Sequence, residues 1–170
     1  GTCIDPECNQ EFNIGNFDFH NFEFNGSITA VVLIGGEDNG SINDLLVGFI
    51  GEEIRGYSYG MVFPITGETQ FPIMLYSNQT SEEIITFKYY HASSNQIFCL
   101  NETIEFINNM MIGDGLDPFI FNIQEQYVLG CTNEQACNYN IDANFDDGSC
   151  IYPEDYYDCN GECLEDTDND

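Results

Sequence analysis

The chain has 170 residues, 42% of them apolar, and carries 30 acidic side chains against two basic ones, for a net charge of −28. This charge excludes nucleic-acid binding and adsorption to anionic membranes, because both need clusters of Lys and Arg. No apolar run reaches the length of about 18 residues that a membrane-spanning helix needs. The 10 Tyr and 14 Phe supply enough apolar surface for a folded core.

Short apolar or alternating runs, separated by Gly-, Asn- and Asp-rich turns, predict an all-β domain over residues 11–128. A polar arm over residues 1–10 precedes it. The predicted strands, in chain order, are 16–24, 27–34, 45–50, 53–62, 69–76, 83–92, 96–100, 103–107 and 119–123. Strands this short and this closely spaced predict an antiparallel β-sandwich of two sheets.

The first predicted strand changes phase along its length. Phe17 and Phe19 share one face, whereas Phe22 and Phe24 have the opposite parity. A bulge or kink between the two pairs would return all four rings to one side. The following Asn25-Gly26 fits either a hairpin turn or a kink inside one long strand.

Residues 129–170 differ in kind from the domain before them. They contain 12 acidic residues, no basic residue and five cysteines. Such a segment cannot bury enough apolar surface to fold unaided, so disulfides and bound cations are the expected staples. A zinc site is disfavoured, because the segment has no His and its one short cysteine spacing is Cys159-x3-Cys163. We therefore predict a small, disulfide-rich, acidic, loop-dominated module.

The sequence of residues 130–163, GCTNEQACNYNIDANFDDGSCIYPEDYYDCNGEC, resembles a repeat of large secreted and cell-surface proteins, mainly of aquatic bacteria. Its cysteine, glycine and aspartate spacings all agree with that repeat. The segments ITAVVLIGGE, NDLLVGFIGEEIRG, ITFKYYHASS and LNETIEF, within residues 22–122, resemble a β-domain that accompanies it. The resemblance implies an extracellular, modular and non-catalytic role.

The even number of cysteines in a small acidic chain predicts disulfides and an oxidising, extracellular location. The eight are Cys3, Cys8, Cys99, Cys131, Cys137, Cys150, Cys159 and Cys163. If Cys8 pairs with Cys99, then Cys3 is left to complete six cysteines with the tail of a preceding unit. The alternative is that all eight pair within one chain.

The chain end suggests a calcium site shared between successive units. Asp166, Asp168 and Asp170 alternate along the last residues, and the chain begins with Gly1. Read head to tail, D-T-D-N-D-G resembles the first half of a calcium loop. The alternative is a solvated acidic terminus.

A second candidate calcium site lies inside the tail. Asp142, Asn144 and Asp146 alternate ahead of Gly148, but the glycine comes one place late and Pro153 stands where a loop of this type has its last carboxylate. The alternative is a turn held by Asx side chains between disulfides.

The two basic residues, Arg55 and Lys88, lie in predicted strands. We favour a structural ion pair for Arg55, with Asp44, Glu52 or Glu53, over a ligand-binding role. His20 and His91 form no recognisable catalytic arrangement with Ser, Cys or Asp in the sequence. No enzymatic activity is therefore expected.

Four N-x-[ST] sequons predict covalent glycans on at least one of Asn25, Asn39, Asn78 and Asn101. All four lie in the predicted β-domain.

We expect an extracellular structural protein whose copies associate head to tail into a fibre, sheath or stalk. The alternative is a calcium-dependent carbohydrate-binding or adhesin module. A third possibility is a domain of a salt-adapted secreted enzyme, because the high acid content also suits salt.

Overall fold

The computed structural model describes residues 12–123 and 128–162, and the chain divides into two compact units, 1–125 and 126–170. The described residues form β-strands with two short 3-10 helices, so the all-β prediction is confirmed. The first unit contains β1 Phe24–Ile34, β2 Leu45–Ile50, β3 Glu53–Tyr59, β4 Met61–Val62, β5 Thr69–Ser77, β6 Glu83–His91, β7 Gln96–Cys99, β8 Ile104–Phe106, β9 Met111–Ile112 and β10 Phe119–Ile123.

One sheet has the strand order β10-β1-β5-β4, with β9 also paired to β1. β5 runs antiparallel to β1 on one side, whereas β10 and β9 run parallel to it on the other. This sheet is therefore mixed, and the expectation of antiparallel pairing throughout is wrong for it. Its central strand is apolar on both faces where Ala30, Val31 and Val32 are buried in succession.

The second sheet has the order β3-β2-β6-β7, with β8 paired to the start of β6, and all of these pairs are antiparallel. Alternate residues of β6 are buried, at Ile85, Phe87 and Tyr89. Aromatic rings join the two sheets: Phe71 meets Tyr89 at 5.7 Å and Phe87 meets Phe121 at 4.8 Å between ring centroids. The core of the first unit lies at these contacts.

Two facing glycines let the sheets approach each other closely. Gly48 of β2 is paired with Gly56 of β3. A Cβ atom on Gly56 would lie 1.9 Å from the carbonyl oxygen of Met74 in β5, and one on Gly48 would lie 2.6 Å from a methyl carbon of Leu75. Since a Cβ does not fit against the Met74 carbonyl, the backbone of β3 can lie against β5 only because residue 56 is glycine, whereas Gly48 leaves room for the Leu75 side chain.

The predicted strand 16–24 is wrong. Residues Ile14–Asn16 and Phe19–Asn21 form 3-10 turns, and the strand begins at Phe24. Asn13 accepts a hydrogen bond from the Gly15 N–H at 2.8 Å, and Asp18 accepts one from the His20 N–H at 3.0 Å. These local side-chain bonds hold the backbone in turns rather than in a ladder.

The Asn25-Gly26 pair lies inside β1, so it forms no hairpin. A Cβ on Gly26 would lie 2.5 Å from Met110, whose carbonyl oxygen accepts a hydrogen bond from the Ser27 N–H at 2.8 Å. Glycine at position 26 therefore leaves room for Met110, in the segment before β9, to lie against β1.

The short β9 was not expected, and the predicted strand 53–62 is divided into β3 and β4. The remaining predicted strands are confirmed: 27–34, 45–50, 69–76, 83–92, 96–100, 103–107 and 119–123.

The second unit has little regular structure. Its strands β11, Leu129–Gly130, and β12, Phe145–Asp146, form a two-stranded parallel sheet. Disulfides join Cys131 to Cys150 and Cys137 to Cys159. Its buried apolar residues include Cys131, Ala136 and Phe145. A core this small fits the prediction that disulfides stabilise the module.

We predict that Gly56→Ala lowers the free energy of unfolding by about 3 kcal/mol or more, because the new methyl group overlaps a backbone carbonyl that cannot rotate away. Urea denaturation followed by tyrosine fluorescence measures this change. Gly67→Ala is the matched control: Gly67 has φ +79° and open space around its Cβ position, so only backbone strain of about 1 kcal/mol is expected. Equal losses in the two variants would contradict the close contact.

Candidate functional site

Arg55 is held in a buried ion-pair network. Its side chain is 8% exposed and donates to both carboxylate oxygens of Glu83, at 3.1 and 3.2 Å. It also donates to Glu53 at 3.0 Å and to the carbonyl oxygen of Tyr76 at 3.3 Å. The ring of Phe22 lies 5.1 Å from the guanidinium carbon, within cation–π range. These bonds occupy the guanidinium, which is therefore a structural group.

The predicted ion pair of Arg55 with Glu53 is confirmed, whereas Asp44 and Glu52 are not the partners that the structure gives it. The stronger partner, Glu83, was missed because it stands 28 residues away in the sequence. Glu83 begins β6, which lies in the same sheet as β3 with β2 between them. Glu83 also accepts a hydrogen bond from the hydroxyl of Ser77.

Asp44 is a buried carboxylate that neutral donors satisfy. It is 0% exposed, and it accepts hydrogen bonds from the N–H and hydroxyl of Ser41 at 2.8 and 2.9 Å and from the N–H of Ala92 at 2.9 Å. The hydroxyl of Tyr89 donates to it at 2.5 Å. Burial, and then this bond to Asp44, raise the pKa of Tyr89 well above its usual range, so the phenol remains a donor. Asp44 thereby joins the loop before β2 to the end of β6.

Five rings form what we call the aromatic surface: Phe17, Phe19, Phe22, Tyr57 and Tyr76. Phe17 lies 6.1 Å from Phe22, 5.8 Å from Tyr57 and 6.0 Å from Tyr76. Tyr76 also meets Phe19 at 5.7 Å. Phe19 is 48% exposed, so the surface is accessible. The sequence analysis expected a bulge or kink to bring four Phe rings to one side. Three of them gather here through 3-10 turns, Phe24 is not among them, and the sequence gave no signal for Tyr57 and Tyr76.

The side chain of Asn78 fastens this surface to the sheet. Its Oδ1 accepts from the N–H of Glu23 at 3.0 Å, and its Nδ2 donates to the carbonyl oxygen of Asn21 at 3.2 Å. The segment that carries Phe19 and Phe22 is thus tied to the end of β5.

A second apolar area lies at the edge strand β4 and is called here the apolar edge. Four residues form it, and about half or more of the surface of each is exposed: Tyr59 52%, Met61 49%, Val62 51% and Ile65 73%. β4 is the last strand of its sheet and pairs with β5 at two positions. Exposed apolar residues on an edge strand are a common means of association between proteins.

The four sequon asparagines have different surroundings. Asn25, Asn78 and Asn101 are exposed, whereas the Nδ2 atom of Asn39 is buried in the loop before β2. A glycan on Asn39 would need that loop to open.

At the predicted calcium site of the tail, two of the three candidate ligands accept hydrogen bonds from backbone N–H groups. Asn144 accepts from the N–H of Val128 at 2.9 Å, and Asp146 accepts from the N–H of Gly148 at 3.0 Å. Within the described residues the structure contains no group of three or more His, Cys, Asp or Glu side chains arranged to bind a metal ion. Asp142, Asn144 and Asp146 are therefore not brought together with further acidic ligands there. Asp166, Asp168 and Asp170 lie outside the described residues.

Exposed carboxylates elsewhere are likewise bonded to backbone amides. The N–H groups of His20, Leu116 and Glu162 lower the pKa of Asp18, Asp114 and Asp158 respectively, in each case as the largest cause. The Nδ1 atom of His20 also lies 2.7 Å from the Oδ1 atom of Asp18, and the His20 side chain is exposed. His91 is buried at the end of β6, where its ring contacts Ser94 at 2.8 Å.

Three disulfides involve described residues. Two of them lie in the second unit, and the third involves Cys99. The partner of Cys99 is not among the described residues, which do not include Cys3, Cys8 and Cys163. A Cys8–Cys99 pair therefore stays a hypothesis, as does the alternative that all eight cysteines pair within one chain.

The second unit has an open groove of about 430 Å³. The residues that line it include Tyr152, Pro153, Glu154, Tyr157 and Asp158. Tyrosine and carboxylate side chains in a shallow groove are suited to polyhydroxylated ligands.

The chain matches no protein-family model, and searches of curated proteins and of solved structures gave no match. The resemblance to secreted repeat modules is therefore still a prediction. In the part of the chain that the structure describes, no helix has the length and apolar character needed to cross a membrane.

We predict that Glu83→Gln lowers the free energy of unfolding by about 3 kcal/mol, because it leaves the buried guanidinium of Arg55 without its two-oxygen partner. Glu53→Gln is the control: the carboxylate of Glu53 is 62% exposed, and its loss should cost less than about 1 kcal/mol. Urea unfolding of both variants gives the comparison. A smaller loss for Glu83→Gln than for Glu53→Gln would show that the exposed pair dominates.

Proposed function

We propose that the chain is an extracellular structural protein whose copies associate head to tail into a fibre, sheath or stalk. The observation that supports association between copies is the apolar edge, where Tyr59, Met61, Val62 and Ile65 are exposed on and beside the edge strand β4. Disulfides in both units support an oxidising location.

We further infer that the first unit is a β-sandwich. The ring contacts Phe71–Tyr89 and Phe87–Phe121 between its two sheets support face-to-face packing. A sandwich leaves edge strands exposed, and the apolar edge is at one of them.

The energetics favour association only when charge is screened. Burying a large apolar side chain contributes about 1.5–3 kcal/mol, so several side chains of the apolar edge offer a substantial gain. Against this, each copy carries a net charge of −28, and copies in contact repel each other. We therefore propose that calcium binds between copies and reduces the repulsion.

The proposed junction joins the end of one copy to the beginning of the next. Asp166, Asp168 and Asp170 would meet Gly1 and Cys3 there, and all five lie outside the described residues. A contact of this kind between two different surfaces propagates into a filament unless its rotation closes a ring.

We predict that Val62→Glu abolishes fibres in negative-stain micrographs, because it places a further negative charge in the apolar edge. Thr86→Glu adds the same charge at an exposed position of β6 and should leave fibres intact. Deleting residues 164–170 should also abolish fibres, and a calcium chelator should do so for the unaltered protein. Normal fibres from Val62→Glu would refute the role of the apolar edge.

The second candidate function is a calcium-dependent carbohydrate-binding or adhesin module, and the groove with Tyr152 and Tyr157 favours it. In that case the protein should bind a glycan array in calcium and lose the signal in chelator. Tyr157→Ala should remove the binding, whereas Tyr59→Ala in the first unit should not. An array without signal in calcium would eliminate this candidate.

A further inference from the structure

The aromatic surface and one sequon occupy the same place in the first unit. Tyr76, which contacts Phe17, Phe19 and Phe22, stands two residues before Asn78. Asn78 directly follows the end of β5, and its side chain bonds to the backbone of Glu23 and Asn21, on either side of Phe22. The sequon Asn78-Gln79-Thr80 therefore presents its asparagine beside the rings.

We propose that Asn78 carries an N-linked glycan whose first sugar lies on the aromatic surface. Attachment forms a C–N bond between Nδ2 and the anomeric carbon of an activated glycosyl diphosphate, the donor class that a glycosyltransferase uses. The bond from that carbon to the diphosphate oxygen breaks, the diphosphate leaves with the bonding electrons, and Nδ2 loses one proton.

The side chain of Asn78 is already oriented for this modification. Its Oδ1 accepts from the Glu23 N–H at 3.0 Å and its Nδ2 donates to the Asn21 carbonyl at 3.2 Å. An asparagine amide has two N–H donors, of which this contact uses one. Attachment of a sugar replaces one of these hydrogens and leaves one N–H on Nδ2 and the acceptor Oδ1, so the amide can stay bonded to the backbone on either side of Phe22.

The amide of Asn78 lies beside the segment that bears Phe19 and Phe22. Asn21, the acceptor of the Nδ2 bond, lies between them in the sequence. Sugar rings present a face of C–H bonds to the electron-rich face of an aromatic ring, and Phe19 is 48% exposed. A sugar is also neutral, so it covers this surface without the charge repulsion that a second copy of this chain would bring.

The other sequons lack this combination. The Nδ2 atom of Asn39 is buried. Asn25 pairs with Tyr76 in the ladder, but no hydrogen bond that orients its amide occurs among the described residues, and Asn101 follows β7 away from the five rings. The inference concerns modification and does not depend on fibre formation.

The test compares two variants that each remove one sequon and leave its asparagine unchanged. Thr80→Ala removes the Asn78 site, and Thr103→Ala removes the Asn101 site. The full chain is secreted from a host with N-glycosylation and trimmed by an endoglycosidase to one N-acetylglucosamine per site. We expect Thr80→Ala to lower the melting temperature by about 3 °C and Thr103→Ala to leave it unchanged. Peptide mass mapping should find Asn78 occupied in the unaltered protein.

A spectroscopic measurement separates stacking from a general effect of the glycan. The protons of the N-acetylglucosamine on Asn78 should be shifted upfield by ring currents, and Phe19→Ala should return them towards the values of the free sugar. An unmodified Asn78 beside occupied Asn25 or Asn101, or sugar protons at free values, would overturn the proposal. Either result would leave the aromatic surface to another occupant, such as a second copy.

Discussion

The contact between Gly56 and the backbone of Met74 is the constraint on which the first unit depends. It places β3 against β5, and the two neighbours of Gly56 in the sequence then acquire their roles. Arg55 on one side reaches Glu83 and the carbonyl oxygen of Tyr76, and Tyr57 on the other side meets Phe17. The bond of Arg55 to the Tyr76 carbonyl and the place of the aromatic surface beside Tyr76 are thus two consequences of one close approach.

A chain with 30 acidic residues and two basic ones cannot neutralise its carboxylates with internal cations. The structure satisfies many of them with neutral donors instead. Asp44 is bonded to amide N–H groups and two hydroxyls, and backbone N–H groups bond Asp18, Asp114 and Asp158. Hydrogen bonds stabilise the ionised carboxylates locally, but the repulsion among them extends further and is reduced only by dissolved or bound cations.

The sequence predicts most strands because alternate burial leaves a two-residue period, as β6 shows. It failed at residues 16–24, where Asn13 and Asp18 bond their own backbone and the apolar pattern alone suggested a strand. Strand direction and distant partners leave no local pattern, so the parallel pairing of β10 and the bond of Arg55 to Glu83 could not be predicted. The sequons could be found by pattern, whereas the ring contacts beside Asn78 required the fold.

The two disulfides of the second unit overlap in the sequence, since Cys137 lies inside the Cys131–Cys150 loop and Cys159 lies outside it. Tension applied between Cys131 and Cys159 therefore acts on a covalent path of six backbone steps from Cys131 to Cys137 and then across one bridge. At about 3.5 Å a residue, plus the 5.1 Å between the α-carbons of the bridge, that path extends to about 26 Å, whereas the reduced segment would extend to about 100 Å. While both bridges are intact, the segment behaves as a tether that unfolding cannot lengthen greatly, and a reductant would convert it into a compliant one.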